Sequence, residues 1–266
     1  MSMEGRVAVV TGASRGIGAA IAERFALDGA AVAVSARTVE EGDHPLPGSI
    51  ATTLRSIADG GGTALPVAAD LSKQEDRARL VETVERELGP IDILVNNAAV
   101  TYFEPVDKFQ EAHYRLMFEV QVRAPFELAQ LVLPGMRERK RGWILNISSG
   151  AAIHPQGPPY QGGGAGTTYG MCKAALERFT TGLASEVYPD GIAVNALSPS
   201  GLVKTPGVVH HQLDRMVPPE RVEPVEYIVE AAYSLCTGDP AVLTGRVTYA
   251  RPLVSELGLS VEAGPA

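Results

Sequence analysis

Arg6-Val7-Ala8-Val9-Val10-Thr11-Gly12-Ala13-Ser14-Arg15-Gly16-Ile17-Gly18 is the stretch on which the architecture turns. Its valine-rich beginning reads as a short strand buried on both faces. A glycine-rich turn follows at once, and then a helical stretch that runs to Leu27. Ala31-Val32-Ala33-Val34-Ser35-Ala36 supplies a second strand, which completes a βαβ unit. A turn of this kind suits a pyrophosphate. Glycines let the backbone approach closely, and the helix N-terminus offers N–H donors and a partial positive charge. The spacing is G-x-x-x-G-x-G, through Gly12, Gly16 and Gly18, rather than G-x-G-x-x-G. A purely structural glycine turn is the competing reading.

Outward from that unit the alternation continues. Ala64 to Ala69 reads as a strand before Asp70 and Leu71, and a charged helix follows from Lys73 to Leu88. Ile91 to Val95 is a strand running into Asn96-Asn97-Ala98-Ala99. A long helical pattern covers Lys108 to Lys140, with a break expected near Pro125. Gly142 to Ile147 is the next strand, ending at Ser148-Ser149, and Ile192 to Leu197 is a sixth; Gly245 to Ala250 offers a seventh. No repeat and no linker divides residues 1–266. The pattern predicts one Rossmann-type α/β domain: a doubly wound, parallel sheet of about seven strands with helices on both faces. Ligands in such folds lie beyond the carboxyl ends of the strands.

The end of the second strand bears on cofactor choice. An acidic residue there suits the ribose of NAD, and a basic one accommodates the extra phosphate of NADP. Arg37 stands at that place and Arg15 lies in the glycine turn. Both suit a phosphate through the planar guanidinium fork, against the alternative of two solvated arginines. NADP(H) is therefore the expected cofactor, with NAD(H) open.

The chain has 266 residues, 45% hydrophobic and 20% charged, within the range of an ordinary globular protein. A net charge of -8 argues against nucleic acid or an anionic membrane as the main partner. No run approaches the roughly 20 apolar residues of a membrane span, and the first residues show no basic-then-apolar leader pattern, so a cytoplasmic location is expected. Cys172 and Cys236 form neither a disulfide framework nor a metal spacing, and no catalytic metal is expected.

Tyr169-Gly170-Met171-Cys172-Lys173 carries the chemistry. Residues four apart share one helix face, so the Tyr169 hydroxyl and Lys173 ammonium can serve one pocket. A lysine cation favours the phenolate and is expected to lower the tyrosine pKa, which otherwise lies near 10. A tuned tyrosine exchanges a proton with an alcohol or carbonyl oxygen. The spacing alone also fits a packed tyrosine and a solvated lysine.

Taken in order, Thr11 to Gly18, Asp70, Asn96-Asn97-Ala98, Ser149, Tyr169 with Lys173, then Pro199 and Thr205 resemble the single-domain short-chain dehydrogenase/reductases over nearly the whole chain. The resemblance implies that Tyr169 is the general acid/base, that Lys173 binds the nicotinamide ribose and tunes it, and that Ser149 bonds the reacting oxygen, with Ser148 as the rival choice. It implies a cofactor site of Gly12, Ser14, Arg15, Gly16, Ile17, Gly18, Arg37, Asp70, Leu71, Asn97, Ala98, Lys173 and Thr205. The partners it implies are a small alcohol, ketone or aldehyde and further copies of the chain, as a homotetramer or homodimer.

Four departures stand out. Gln121 occupies the place where the family has an asparagine feeding a proton relay; a structural role for Gln121 is the alternative. The segment 150–168 is longer than the family's and is expected to form an extended active-site loop, in which His154 could meet substrate. Pro199-Ser200-Gly201 carries one residue more than the family's Pro-Gly, which softens the Thr205 assignment. The C-terminal segment lacks the family's Asp-Gly-Gly. The loop from Arg37 to Ile50 is similar to that of hydroxysteroid dehydrogenase-like members, and the tail to that of members acting on terpenoid alcohols. Together with the expected lid at 205–218 they favour an apolar substrate. The competing functions are a catalytically weak cofactor-binding sensor or scaffold, and an epimerase or dehydratase on the same fold.

Overall fold

The valine-rich run forms β1 (Val7–Thr11), buried at every position, and the glycine turn leads into α1 (Gly16–Leu27). The computed structural model describes residues 2–160, 165–215 and 217–261. β2 (Ala31–Ala36) returns parallel to β1, with Val7 opposite Ala31 and Thr11 opposite Ser35. α2 (Ile50–Asp59) and β3 (Thr63–Ala68) follow, then α3 (Gln74–Glu87) and β4 (Ile93–Asn96). Pro66 lies in β3, and because β3 is the edge strand its missing N–H costs no ladder bond. α4 (Glu111–Phe118) and α5 (Ala124–Arg139) precede β5 (Gly142–Ile147). α6 (Thr167–Val187) and β6 (Ile192–Ser198) come next, then α7 (Pro206–His210) and α8 (Val225–Thr237). β7 (Val247–Tyr249) and α9 (Ala250–Glu256) close the fold.

The seven strands pair in the order β3-β2-β1-β4-β5-β6-β7, and every pairing is parallel. Strand order reverses between β1 and β4, which opens a crevice at their carboxyl ends. One face of the sheet packs on Ile21 and Phe25 of α1, Ile50 and Ile57 of α2, Ile228 and Leu235 of α8, and Leu253 of α9. The other packs on Leu80 and Val84 of α3, Leu128 and Val132 of α5, and Leu183 and Val187 of α6. The predicted doubly wound architecture is the observed one.

The helical pattern from Lys108 to Lys140 is interrupted differently from the break expected near Pro125. The interruption is a π turn over Glu119–Arg123, in which the Ala124 N–H reaches the Glu119 carbonyl. Pro125 has no N–H for the carbonyl four residues back, at Gln121, and its ring crowds that carbonyl; widening by one residue relieves both. Residues 161–164 of the expected loop at 150–168, and residue 216 of the expected lid at 205–218, lie outside the described residues. Among the described residues no helix is long and apolar enough to cross a membrane, and no group of three or more His, Cys, Asp or Glu could hold a metal.

Candidate active site

The first half of the site is the turn between β1 and α1. Gly12 and Gly16 have φ of +65° and +59°, a conformation that disfavours any side chain. A Cβ on Gly12 would lie 2.8 Å from the Ala98 Cα, and one on Gly18 would fall on the Asn97 amide and 2.6 Å from the Gly12 carbonyl. The α1 N-terminus has no side-chain cap and no acidic residue in its first turn. Its leading N–H groups therefore remain for an anion, as a pyrophosphate requires. Ser14 is buried beneath the turn and Ile17 half-buried beside it.

Thr11 organises this turn and was not singled out in the sequence. Its hydroxyl donates to the Val95 carbonyl at 3.1 Å and accepts from the N–H groups of Asn97 and Ala98 at 3.0 and 3.2 Å. The Asn97 side chain donates to the carbonyls of Thr11 and Gly12 at 2.9 and 3.1 Å. Asn97 thus braces the glycine turn from beneath, and Ala98 is the member of that pair whose backbone lines the turn. The signal available in the sequence was the hydroxyl residue immediately before Gly12.

Arg15 is placed differently from its expected role. Its guanidinium donates to the carbonyls of Pro47 and Gly48 at 2.9 and 2.6 Å and to the Thr38 hydroxyl at 3.2 Å. Those bonds fasten the loop between β2 and α2 onto the glycine turn, because the loop carbonyls have no strand partner. Arg37, by contrast, is exposed and has no hydrogen bond or ion pair among the described residues. It joins Arg15 and His210 in pushing the His44 pKa down, after burial, the largest cause. Glu41 of the same loop bonds the Gly48 N–H and the Thr52 hydroxyl, so charges of both signs stand at this edge.

Asp70 stands in the turn after β3. Its Oδ1 accepts from the Ser72 N–H and hydroxyl at 3.1 and 2.8 Å, and Leu71 is buried next to it. The Leu71 carbonyl accepts from Arg77, whose side chain is 1% exposed and paired with Glu119 and Glu127. Sequence reading missed this charged cluster, which ties the turn after β3 to the π turn.

The second half of the site lies at the ends of β5 and α6. Lys173 is 3% exposed, and its Nζ donates to the Ile147 carbonyl at 2.8 Å. Burial lowers its pKa to about 8, with Cys172 and Glu177 opposing. The Nζ lies 5.6 Å from the centroid of the Tyr169 ring. The Tyr169 pKa is raised, chiefly by burial, while a hydrogen bond with the Ser149 hydroxyl works the other way. The lowering expected from Lys173 is not what this geometry gives: loss of water around the phenol raises the value, and the bond with Ser149, rather than the lysine charge, is what works against it.

The two serines divide cleanly. The Ser148 hydroxyl is buried and donates to Glu177 Oε1 at 2.7 Å. Ser149 is half-buried and faces Tyr169; its hydroxyl also accepts from the Ala151 N–H at 3.2 Å. Gln121, 1% exposed, donates from Nε2 to the Val100 carbonyl at 2.8 Å, and its Oε1 is buried without a partner. Thr205 caps α7 and stands over the glycine turn, 3.0 Å from where a Cβ on Gly16 would lie. His154 is exposed.

The mouth beside Tyr169 is aromatic. Phe103 sits edge-on to the Tyr169 ring at 6.1 Å and to His211 at 6.3 Å. Next to it Tyr102 stacks on His113 at 3.6 Å, and His113 bonds Glu104 at 2.9 Å, which holds this loop in place. Neither Phe103 nor His211 was a sequence candidate; both reach the site from loops remote in sequence.

Comparison with known proteins places the chain in one family. The family described as short chain dehydrogenase matches residues 6–215. A short chain dehydrogenase of Pseudocercospora fijiensis is 38% identical over 202 residues, which make up 75% of this chain and 60% of that protein. A crystal structure of a short chain dehydrogenase from Mycobacterium thermoresistibile superposes with a TM-score of 0.83 at 30% identity, over 100% of this chain and 96% of that one. A metagenomic short-chain oxidoreductase in complex with NADP gives a TM-score of 0.76 at 30% identity, over 94% of this chain and 98% of the other.

Proposed function

The chain belongs to the short-chain dehydrogenase family, and from that we propose that it is an NADP(H)-dependent oxidoreductase that interconverts an apolar alcohol and its ketone or aldehyde, with Tyr169 as general acid/base. The observation that carries the reading is the meeting of Tyr169, Ser149 and Lys173 beside an uncapped, glycine-lined helix N-terminus.

The donors present fit a dinucleotide. The backbone of Gly12, Ser14, Gly16, Ile17 and Gly18 would hold the pyrophosphate, Asp70, Leu71 and Ala98 the adenosine, Lys173 the nicotinamide ribose and Thr205 the carboxamide. Arg37, exposed and unpaired, would take the extra phosphate of NADP, while Arg15 fixes the loop beside it. When bound, the nicotinamide supplies or takes up the hydride.

The protein's part is proton traffic and orientation. Burial keeps the Tyr169 phenol protonated near neutral pH. It can therefore deliver its proton to a carbonyl oxygen as charge grows there, with the Ser149 hydroxyl donating to the same oxygen. Lys173 spends one N–H on Ile147 and keeps two for ribose hydroxyls. Its charge stabilises the phenolate that the proton transfer leaves behind. The buried free acceptor of Gln121 is where a relay water would bond to resupply that proton.

Phe103 supplies an apolar face next to Tyr169 and His211 packs edge-on against it; the phenyl face favours a lipophilic carbonyl compound. Of the expected lid, His211 reaches Phe103 beside Tyr169, which supports a role for residues 205–215 at the pocket. Phe126 and Leu131 of α5 and Met171 of α6 are exposed, and a homodimer or homotetramer would cover them.

Tyr169→Phe tests the proposal. The variant should bind NADPH as the wild type does and lose nearly all carbonyl reduction; retention of wild-type turnover would overturn the assignment.

A further inference from the structure

Beyond the carboxyl end of β6 three segments meet on one buried carboxylate. The Glu223 side chain is 0% exposed. It accepts from the Ser200 N–H, at 3.1 and 3.2 Å to its two oxygens, and from the Arg251 Nε–H at 3.1 Å. Arg251 lies at the start of α9; its own N–H donates to the Ser200 hydroxyl at 2.9 Å, and its guanidinium lies 4.5 Å over the Tyr227 ring. Next to the carboxylate, Leu202 bridges Val222: the Leu202 N–H reaches the Arg221 carbonyl at 2.7 Å and the Glu223 N–H reaches the Leu202 carbonyl at 2.9 Å. A Cβ on Gly201 would fall on the Arg221 carbonyl, so the two limbs touch backbone to backbone. This bridge closes the base of the segment that carries α7.

A carboxylate in this position is costly. Burial pushes the Glu223 pKa up, against the bonds from Ser200 and Arg251. An apolar side chain would fill the space without that cost, but it would not tie the loop after β6, the returning limb and α9 together in fixed directions. Thr205 stands three residues past the bridge, against Gly16. Any play at the base moves it away from the glycine turn.

We infer that Glu223 and Arg251 are positioning residues: they fix the base of the α7 segment, and through it Thr205, so that α9 sets cofactor affinity from outside the pocket. The inference rests on Thr205 as a cofactor contact.

Arg251→Gln is the first variant, because the guanidinium is 46% exposed and glutamine keeps a side-chain N–H while removing the charge. Cofactor affinity is read from the fluorescence of bound NADPH, and turnover as KM against kcat. The clamp itself is read by trypsin at Lys204-Thr205 and Arg221-Val222, the bonds that flank it. The expected result is a roughly five- to tenfold weaker NADPH affinity, a part of the worth of one charge-assisted hydrogen bond, since the loss at the base reaches the cofactor only through Thr205. A matching rise in KM for NADPH, kcat within twofold, and faster cleavage at both bonds should accompany it. Arg251→Lys should restore part of the affinity. Glu223→Gln should act in the same direction, and the double variant should be no worse than the stronger single one. Unchanged affinity and cleavage in Arg251→Gln would overturn the inference, as would a lower melting temperature with unchanged affinity. Failure of the wild type to bind NADPH at all would instead defeat the functional reading; the cleavage rates would then still decide whether Arg251 holds the base.

Discussion

Replacing each of the two adjacent serines by alanine should produce opposite signatures. Ser148 is buried, and its hydroxyl donates at 2.7 Å to the Glu177 carboxylate. A hydrogen bond to a charged partner contributes about 1.5–3 kcal/mol, and its removal leaves a carboxylate oxygen short of a donor. Ser148→Ala should therefore cost about 2 kcal/mol of stability, which for a chain of this size lowers the melting temperature by roughly 4–8 °C. Its turnover should stay near wild type, because the hydroxyl points away from Tyr169 to Glu177. Ser149 makes one weak turn bond, at 3.2 Å to the Ala151 N–H, and is half-buried. Ser149→Ala should cost only about 0.5–1 kcal/mol of stability. On the proposed mechanism it removes a donor to the reacting oxygen, a loss of about 10²–10³ in turnover by analogy with an oxyanion donor. Thermal melting and kcat/KM, measured on both variants, give four numbers. Loss of turnover in Ser148→Ala equal to that in Ser149→Ala would refute the reasoning, as would a stability loss concentrated in Ser149→Ala.

Other outcomes follow from the same structure. Arg37→Asp should raise KM for NADPH and lower the preference for NADPH over NADH, since it removes the unpaired cation at the end of β2; an unchanged preference would remove Arg37 from the phosphate site. The Lys173 pKa falls from 10.5 to about 8 on folding, so the unfolded chain binds more protons between those values. The cost of holding Lys173 charged is present in full below pH 8 and is relieved as pH rises from 8 to 10.5; Lys173→Met should lack that rise in stability, as denaturant unfolding across this range would show. Gly18→Ala should cost about 1–3 kcal/mol through overpacking against Asn97 and the Gly12 carbonyl and should weaken NADPH binding, read by melting and by cofactor fluorescence.

The β1–turn–α1 unit was legible in the sequence because each signal reports a local requirement: a strand buried on both faces, a turn with two glycines at positive φ, and a helical stretch directly after it. The strand ends near Asp70, Asn97, Ser149 and Thr205 were legible for a related reason, since a parallel sheet collects its carboxyl ends along one edge. What remained hidden were partnerships between distant segments. Arg15 has the right residue type and place for a phosphate, yet the carbonyls of Pro47 and Gly48 take its donors, and no local pattern announces them. The choice of Ser149 over Ser148 came from the resemblance; the physical reason, that Ser148 is bonded to Glu177 while Ser149 faces Tyr169, needed the structure. The expected lowering of the Tyr169 pKa considered the lysine charge and not the water lost on burial. The π turn followed from Pro125, but its consequence, a buried and unpartnered Gln121 acceptor, needed the Val100 carbonyl in place.

The most direct test of the central claim is the consumption of NADPH and of NADH by the purified chain against a graded set of aldehydes and ketones, from small polar to large apolar, beside Tyr169→Phe. Faster consumption of NADPH than of NADH, rising with the apolar size of the carbonyl compound and absent in Tyr169→Phe, is the predicted result. NADPH that binds but is not consumed with any carbonyl compound would contradict it and leave a cofactor-binding protein without the proposed chemistry.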